Sequence, residues 1–371
     1  MIGIIFIGDI RFCPYLKRYT NILDENFIKY KIIFWDRNPS EKKTFDFSSN
    51  NIKIFNKNSK LKKNPLKKLK DFFHFRRFVI HELKRESYSK LILLSTMSGV
   101  IIFDYILKKY KYKYIFDYRD TSYENYLMFK LLLNKLIKYS SFTCISSKGF
   151  KEVLSNKFNY IDSNNLNYNE LELVRKKSIK EKFVKDTEEK DNFVINLSYF
   201  GFIRDFNGIK KFINVFKNDS RFFLYYHGDG PDYLRLKNYC IEKSIKNVEF
   251  TGYYDINKKI ELMKNTDVIN DYYEFNKNIK YCTANKVYDS MVYKKIILVN
   301  KKAYDFKVIS KYKLGLGIDI DSELNLDLLY QDIKNKILNI NIDDFNNSLN
   351  EVIEEDRKYN KEIKKFLLEK E

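Results

Sequence analysis

Cysteine, histidine and tryptophan are scarce in this 371-residue chain, and their scarcity excludes several kinds of protein. The four cysteines, Cys13, Cys144, Cys240 and Cys282, are scattered and form no CxxC pair. Neither a thiolate zinc site nor a disulfide framework is expected, and a reducing cytoplasm fits best. The three histidines, His74, His81 and His227, make no metal cluster with them, and no metal-binding acidic cluster stands out. No apolar run reaches the length needed to cross a bilayer. Residues 1–8 are apolar, but the run is short and lacks a basic leader, so it reads as a buried first strand and not as a signal peptide. There is no short-period repeat.

What is present is enough apolar material for two cores. Hydrophobic residues make up 44% of the chain and aromatic residues 17%, which excludes global disorder. The length suits two domains of similar size. Net charge is +20, with a pI near 9.4. Such an excess implies an anionic partner: nucleic acid, phospholipid headgroups or a phosphorylated substrate.

Short apolar runs alternate with helical patterns. In the first half, strands are expected at 2–8, 31–35, 91–95, 113–117 and 142–146, with helices at 66–86, 98–110, 121–139 and 147–154. A polar stretch from Asp162 to Asn192 follows, and the alternation then restarts. Strands are expected at 193–200, 222–227, 247–251, 267–273, 295–300 and 315–319. Helices are expected at 207–217, 231–243, 257–265, 284–294, 303–312 and 325–339. The tail is helical and charged. This pattern predicts two doubly wound α/β domains in tandem: 1–165, a linker at 166–192, 193–345, and a C-terminal helix at 346–371 that packs back toward the first domain. Open parallel sheets bind ligands beyond the carboxyl ends of their strands. Facing domains of this kind would create one interdomain cleft.

The polar punctuation falls at those strand ends. Residues 200–208, Phe-Gly-Phe-Ile-Arg-Asp-Phe-Asn-Gly, follow a strand and open a helix. Gly201 permits close backbone approach, and Arg204 can fork onto phosphate oxygens. Gly228, Asp229 and Gly230 make a tight turn after the next strand. A turn needed only for the fold is the plainer reading of these glycines. Asn285, Lys286 and Asp289 open a helix, with Lys286 and Asp289 on one face. A helix N-terminus favours phosphate, and Asp289 suits ribose hydroxyls. The alternative is a surface Lys–Asp pair, which contributes little. In the first half, Asp9 and Arg11 follow the first strand, Asp117, Arg119 and Asp120 end another, and Ser146 opens a helix. An Asp–Arg network bracing a loop is an equal reading of Asp117 and Arg119.

The second half resembles the donor domain of GT-B glycosyltransferases similar to family 4, of the type that builds bacterial capsular and other surface polysaccharides. The matching pieces, in family order, are residues 201–204, 228–231, 248–252, 267–270, 284–289 and 314–317. The resemblance implies a hexosyl transfer from a nucleotide-diphosphate sugar, a UDP-sugar being favoured, with no cofactor and no metal. It further implies that Arg204 and Lys286 neutralise the diphosphate, that Asp289 holds the ribose and that Tyr253 and Tyr254 lie near the base. Retention of anomeric configuration is also implied. Asp117 joins Arg204 and Lys286 as a candidate catalytic group, and Asp9, Arg11, Arg119, Asp120 and Ser146 fall on the acceptor side. Two positions depart from the family: Tyr281 stands where its first glutamate would be, and Asn207 where a basic residue often precedes Gly208.

Lys57, Lys60, Lys62, Lys63, Lys67, Lys68, Lys70, Arg76, Arg77, Lys84 and Arg85 cluster around one predicted helix, interleaved with Leu66, Leu69, Phe72, Phe73, Val79, Ile80 and Leu83. Such a segment suits an anionic cytoplasmic leaflet and a lipid-linked saccharide acceptor. An ordinary core-facing helix is the alternative. Three rival functions stay open: a nucleic-acid-binding protein, a GT-B relative with other chemistry such as an epimerase, and a non-catalytic partner subunit. No nucleic acid is expected as partner, because the basic residues belong to no recognisable binding motif.

Overall fold

The computed structural model describes residues 1–8, 10, 13, 15–39, 47–58, 65–178, 193–276, 279–322 and 324–369. The chain divides into two units, Met1–Asn164 with Glu354–Glu371, and Asn165–Ile353.

Unit 1 runs β1 (Ile2–Phe6), α1 (Leu16–Glu25), β2 (Tyr30–Asp36), β3 (Ile52–Asn56), α2 (Pro65–Arg85), β4 (Lys90–Leu94), α3 (Thr96–Val100), α4 (Phe103–Lys109), β5 (Tyr114–Tyr118), α5 (Leu127–Lys138), β6 (Phe142–Ile145) and β7 (Tyr160–Asp162). The sheet order is β3-β2-β1-β4-β5-β6-β7, with every pairing parallel. Continuous apolar runs make the central strands, because both sheet faces are covered: β1 and β5 are buried at every residue. Two edge strands, β3 and β7, were not among the expected elements. Neither carries a fully buried residue, so neither shows the continuous apolar run that marks a central strand. The helix expected at 98–110 is two short ones, α3 and α4.

Unit 2 opens with α6 (Tyr168–Ser178), inside the stretch expected as linker. Leu171 and Val174, three apart on α6, and Leu166 just before it are buried against the core, which is why this part of the polar segment is ordered packing and not a tether. Residues 179–192 lie outside the described residues. There follow β8 (Ile195–Phe200), α7 (Phe206–Phe216), β9 (Phe222–His227), α8 (Tyr233–Glu242), β10 (Val248–Gly252), α9 (Ile256–Lys264), β11 (Val268–Asp271), α10 (Asn285–Tyr293), β12 (Ile296–Asn300), α11 (Tyr304–Tyr312), β13 (Gly315–Ile318) and α12 (Leu326–Leu338). The order β10-β9-β8-β11-β12-β13 is again all parallel. The last helix, α13 (Ile342–Leu368), contributes Phe345, Leu349 and Val352 to a core of unit 2 and Tyr359, Ile363, Phe366 and Leu367 to the core of unit 1. Among the described residues no helix is long and apolar enough to cross a membrane.

Candidate functional site

Three neighbouring strands of unit 2 end in glycine. β8, β9 and β10 run into Gly201, Gly228 and Gly252, and the turns are stitched by backbone bonds. Gly201 N donates to His227 O (3.0 Å), Gly228 N to Gly252 O (2.8 Å) and Ile203 N to Asp229 O (3.0 Å). A Cβ on Gly228 would lie 1.9 Å from Gly201 O, and one on Gly230 would lie 2.2 Å from Ile203 O. Gly228 also has φ +136°, which a side chain would strain. Glycine is therefore required here by the packing of backbone on backbone.

That packing makes a shelf at the carboxyl end of the sheet, with side chains turned outward from it. Tyr253 is 82% exposed and Phe202 56%. Arg204 and Asp229 are exposed, and Arg204 has no ion pair or hydrogen bond among the described residues. Tyr254 is half-buried with its edge against Phe200, and burial pushes its hydroxyl up to about 12. His227, beneath the shelf, bonds Thr251 Oγ1 through Nδ1 at 2.8 Å, and burial pulls its pKa down to about 4. It is neutral at physiological pH.

The α10 residues are placed differently. Asn285 is exposed at the helix start, where the Ala284 cap has no polar side chain to offer and the Asp305 carboxylate accepts from Ala284 N at 3.1 Å. Lys286 is turned inward and is 4% exposed. Its Nζ lies 3.1 Å from Asp271 Oδ1 and 2.6 Å from Tyr273 Oη, and it sits over the rings of Tyr199 and Tyr273 at 4.3 and 4.6 Å. Burial opposes the ammonium, and the surrounding groups hold it charged. The lysine expected as an open cation is thus closed into its own ion pair. Asp289 is engaged on one side only. Its Oδ1 accepts from Lys259 Nζ at 2.9 Å, and Lys259 also meets Glu170 at 2.6 Å. Asp289 Oδ2 has no hydrogen bond among the described residues. Burial raises the pKa of Asp289, and Lys259 counters that rise. Tyr281 is half-buried beneath Lys280, whose Nζ lies 5.3 Å from its ring centroid.

The first-half candidates form an interior network of unit 1. Asp117 is 0% exposed and Arg119 6%. Arg119 Nε lies 3.0 Å from Asp117 Oδ1, a charge contact without hydrogen-bond alignment. Tyr19 Oη donates to Asp117 Oδ2 (2.8 Å) and meets Tyr359 Oη (2.6 Å), while the Arg119 guanidinium covers the Tyr15 ring at 3.7 Å. Arg18 pairs with Asp356 beside them. These contacts engage Asp117 and Arg119 with one another and with the tyrosines around them, as a brace for the loop would. Ser146 Oγ donates to Arg119 O at 3.3 Å and is buried with them. Asp120 is exposed at the end of β5. Asp9 and Arg11 lie outside the described residues. No group of three or more His, Cys, Asp or Glu among the described residues could hold a metal ion.

No family model and no curated protein matches the chain. Solved structures do. Sucrose-phosphate synthase from Thermosynechococcus elongatus superposes with TM-score 0.64 at 11% identity, over 95% of this chain and 93% of that one. Anabaena HepE in complex with UDP gives 0.62 at 11% identity, over 98% and 99%. The lipopolysaccharide outer core galactosyltransferase WaaB, in its apo form, gives 0.52 at 17% identity, over 94% and 99%. The fold is GT-B. Identities this low carry the fold alone, and unit 1 and unit 2 are its two Rossmann-like domains.

Several residues of the candidate site were not anticipated from sequence. Phe202, Asp271, Tyr273, Lys259 and Glu170 all stand beside residues that were. Lys259 had a visible signal: it falls in the stripe with Ile260 and Met263 that α9 buries, where a lysine demands an anionic partner. Asp271 and Tyr273 had none, because they meet Lys286 only through the adjacency of β11 and α10.

Proposed function

We propose that this chain is a glycosyltransferase that moves a hexosyl group from a nucleoside diphosphate sugar, UDP-linked by preference, to a lipid-linked saccharide in surface polysaccharide synthesis. The observation that carries the reading is the glycine shelf of β8–β10, whose turns expose Arg204, unpaired among the described residues, and the rings of Phe202 and Tyr253. A guanidinium without a carboxylate partner is suited to a diphosphate, and exposed rings are suited to a base. Support for UDP comes from the HepE structures, described as complexes with UDP, with UDP and glucose, and with UDP-glucose.

Arg204 and the N-terminus of α10 would stabilise the leaving diphosphate without a metal ion. Lys286 would act from behind, holding Asp271 and Tyr273, and Asp289 Oδ2 would accept from the ribose. In transfer with retention, the acceptor oxygen bonds to the anomeric carbon on the face that the phosphate leaves, and its proton passes to the departing phosphate oxygen. Asp120 would lie on the acceptor side, with Asp117, Arg119 and Ser146 bracing its loop. The acceptor would be met at the cytoplasmic face of the membrane, where the basic surface of α2 suits anionic lipid.

Calorimetric titration with UDP, GDP, ADP, CMP and UMP, with and without a divalent ion, tests the donor site. Metal-free binding of UDP above the others is expected, followed by product analysis showing the retained anomer. Binding of none of them would remove the reading. A non-catalytic nucleotide-binding relative is the second reading, favoured by Tyr281 and the closed Lys286. It requires UDP binding without transfer.

A further inference from the structure

Among the described residues, the largest group of exposed apolar side chains in unit 1 lies on α5 and the turn before it. Tyr126 is 67% exposed, Leu127 71%, Met128 72% and Leu131 48%, with Tyr123 beside them at 42%. The other face of the helix buries Leu133, Leu136 and Ile137. Exposed charges on α5 are all positive, namely Lys130, Lys135 and Lys138, and Glu124, the acid just before the helix, is buried against Tyr118 Oη and Ser122 N.

The same arrangement recurs on α2. Leu69 (67%) and Phe73 (56%) are exposed among Lys67, Lys70, Arg77, Lys84 and Arg85, while Asp71 and Glu82 are buried. Lys60, Lys62 and Lys63 lie outside the described residues. Sheet order fixes which layer these helices occupy. The steps β3→β4, β4→β5 and β5→β6 all run one way along the sheet, and β1→β2 runs the other. Right-handed crossovers therefore put α2, α4 and α5 on one face and α1 on the opposite face. Arg76 of α2 forks onto Asp104 of α4 at 2.6 and 2.8 Å, as neighbours in one layer would. Each of these helices begins where a strand ends, so Leu69 and Phe73 in α2 and Tyr126–Leu131 in α5 lie toward the carboxyl edge. Asp120 lies at that edge too.

We propose that this edge of unit 1 docks on an anionic lipid bilayer, with the first turns of α5 entering the interface as an apolar wedge and the lysines and arginines of α2 and α5 resting on the headgroups. Charge complementarity selects the occupant: the exposed charges that α2 and α5 themselves carry are all cationic, and Asp104 of α4, which is exposed, is forked by Arg76, so the two apolar tips match an anionic surface with an apolar interior. A protein partner with a mixed rim would leave these cations without a match. The inference deepens the membrane part of the reading above. Vesicle binding needs no turnover, so its failure and the failure of the transferase reading are told apart.

The test is flotation of the full chain with vesicles of phosphatidylglycerol and phosphatidylethanolamine, against vesicles of phosphatidylcholine alone. Wild type should float with the anionic vesicles only. Removing two exposed apolar groups from the wedge in the double variant Leu127→Glu/Met128→Glu should weaken binding at least about tenfold. Phe27→Glu removes the most exposed ring of unit 1, 94% exposed beside α1 on the opposite layer, and should change nothing. Raising salt from about 0.1 to about 1 M, which shortens the screening length from about 10 to about 3 Å, should weaken binding without abolishing it. An unchanged melting temperature and unchanged UDP titration exclude misfolding of the variants. Equal binding of wild type and the double variant, equal binding to neutral vesicles, or a wild-type dimer that the double variant splits would each overturn the proposal.

Discussion

The two units close the carboxyl ends of their sheets in opposite ways. Unit 1 closes with side chains: Asp117, Arg119, Tyr19 and Tyr359 meet in the interior, and their charge and hydrogen-bonding capacity is used on one another. Unit 2 closes β8–β10 with backbone, glycine packed on glycine, and so leaves Arg204, Phe202 and Tyr253 pointing outward. A side chain that already has its partners holds a fold together; one without a partner is available to a ligand. On the proposed reading, the same topology makes one stability-bearing end and one ligand-bearing end. Within unit 2 the contrast repeats, with Lys286 closed in a cage and Arg204 open.

Substitutions should separate the two ends. The largest effect is expected from Asp117→Ala, which leaves the buried Arg119 guanidinium without its carboxylate and should cost about 3–5 kcal/mol in urea unfolding. A loss of under about 1 kcal/mol would mean that the network does not brace unit 1. Next comes pH, through His227. Burial lowers its pKa from 6.5 to about 4, so the unfolded chain takes up the proton first. Its contribution is full above pH 6.5 and is lost as pH falls toward about 4. The loss amounts to about 3 kcal/mol relative to His227→Asn, from the size of the shift. Hydrogen exchange should show it at the β8–β10 ends before it shows at β5. A difference between the two proteins that is independent of pH would contradict this.

Arg204→Ala should do the reverse of Asp117→Ala. Stability should change by less than about 0.5 kcal/mol, as for a surface residue without partners. UDP affinity should fall by about 1.5–3 kcal/mol, as for a lost charged hydrogen bond. A fall in stability with unchanged affinity would reverse the assignment of the two ends. The smallest effect is expected at Tyr253→Ala, about 0.5–1.5 kcal/mol of UDP affinity from a lost ring contact, read by calorimetry. Equal weakening of ribose 5-phosphate, which carries no base, would place that ring elsewhere.

Central strands and their helices were legible because burial on both faces writes them as uninterrupted apolar runs, such as residues 2–6 and 296–299. What escaped was half-buried or polar-edged. β3 and β7 are edge strands, and α1 includes Tyr19 and Thr20 in its buried stripe, which blurs the apolar period. In the candidate site, the glycine turns were readable as turns, since glycine at a strand end has few other uses. Their packing on one another was not, because it depends on the adjacency of β8, β9 and β10. Lys286 is the instructive case. Its place at a helix start was readable, but its direction depends on Asp271, which ends β11, and Tyr273, which follows it.

The most direct test of the open, ligand-bearing end is a crystal structure of the chain soaked with UDP. The account predicts the diphosphate on the Arg204 guanidinium, the base against Tyr253 or Phe202, and Lys286 still paired with Asp271. UDP bound among the lysines of unit 1, or Lys286 swung out to the phosphates with Arg204 untouched, would contradict it.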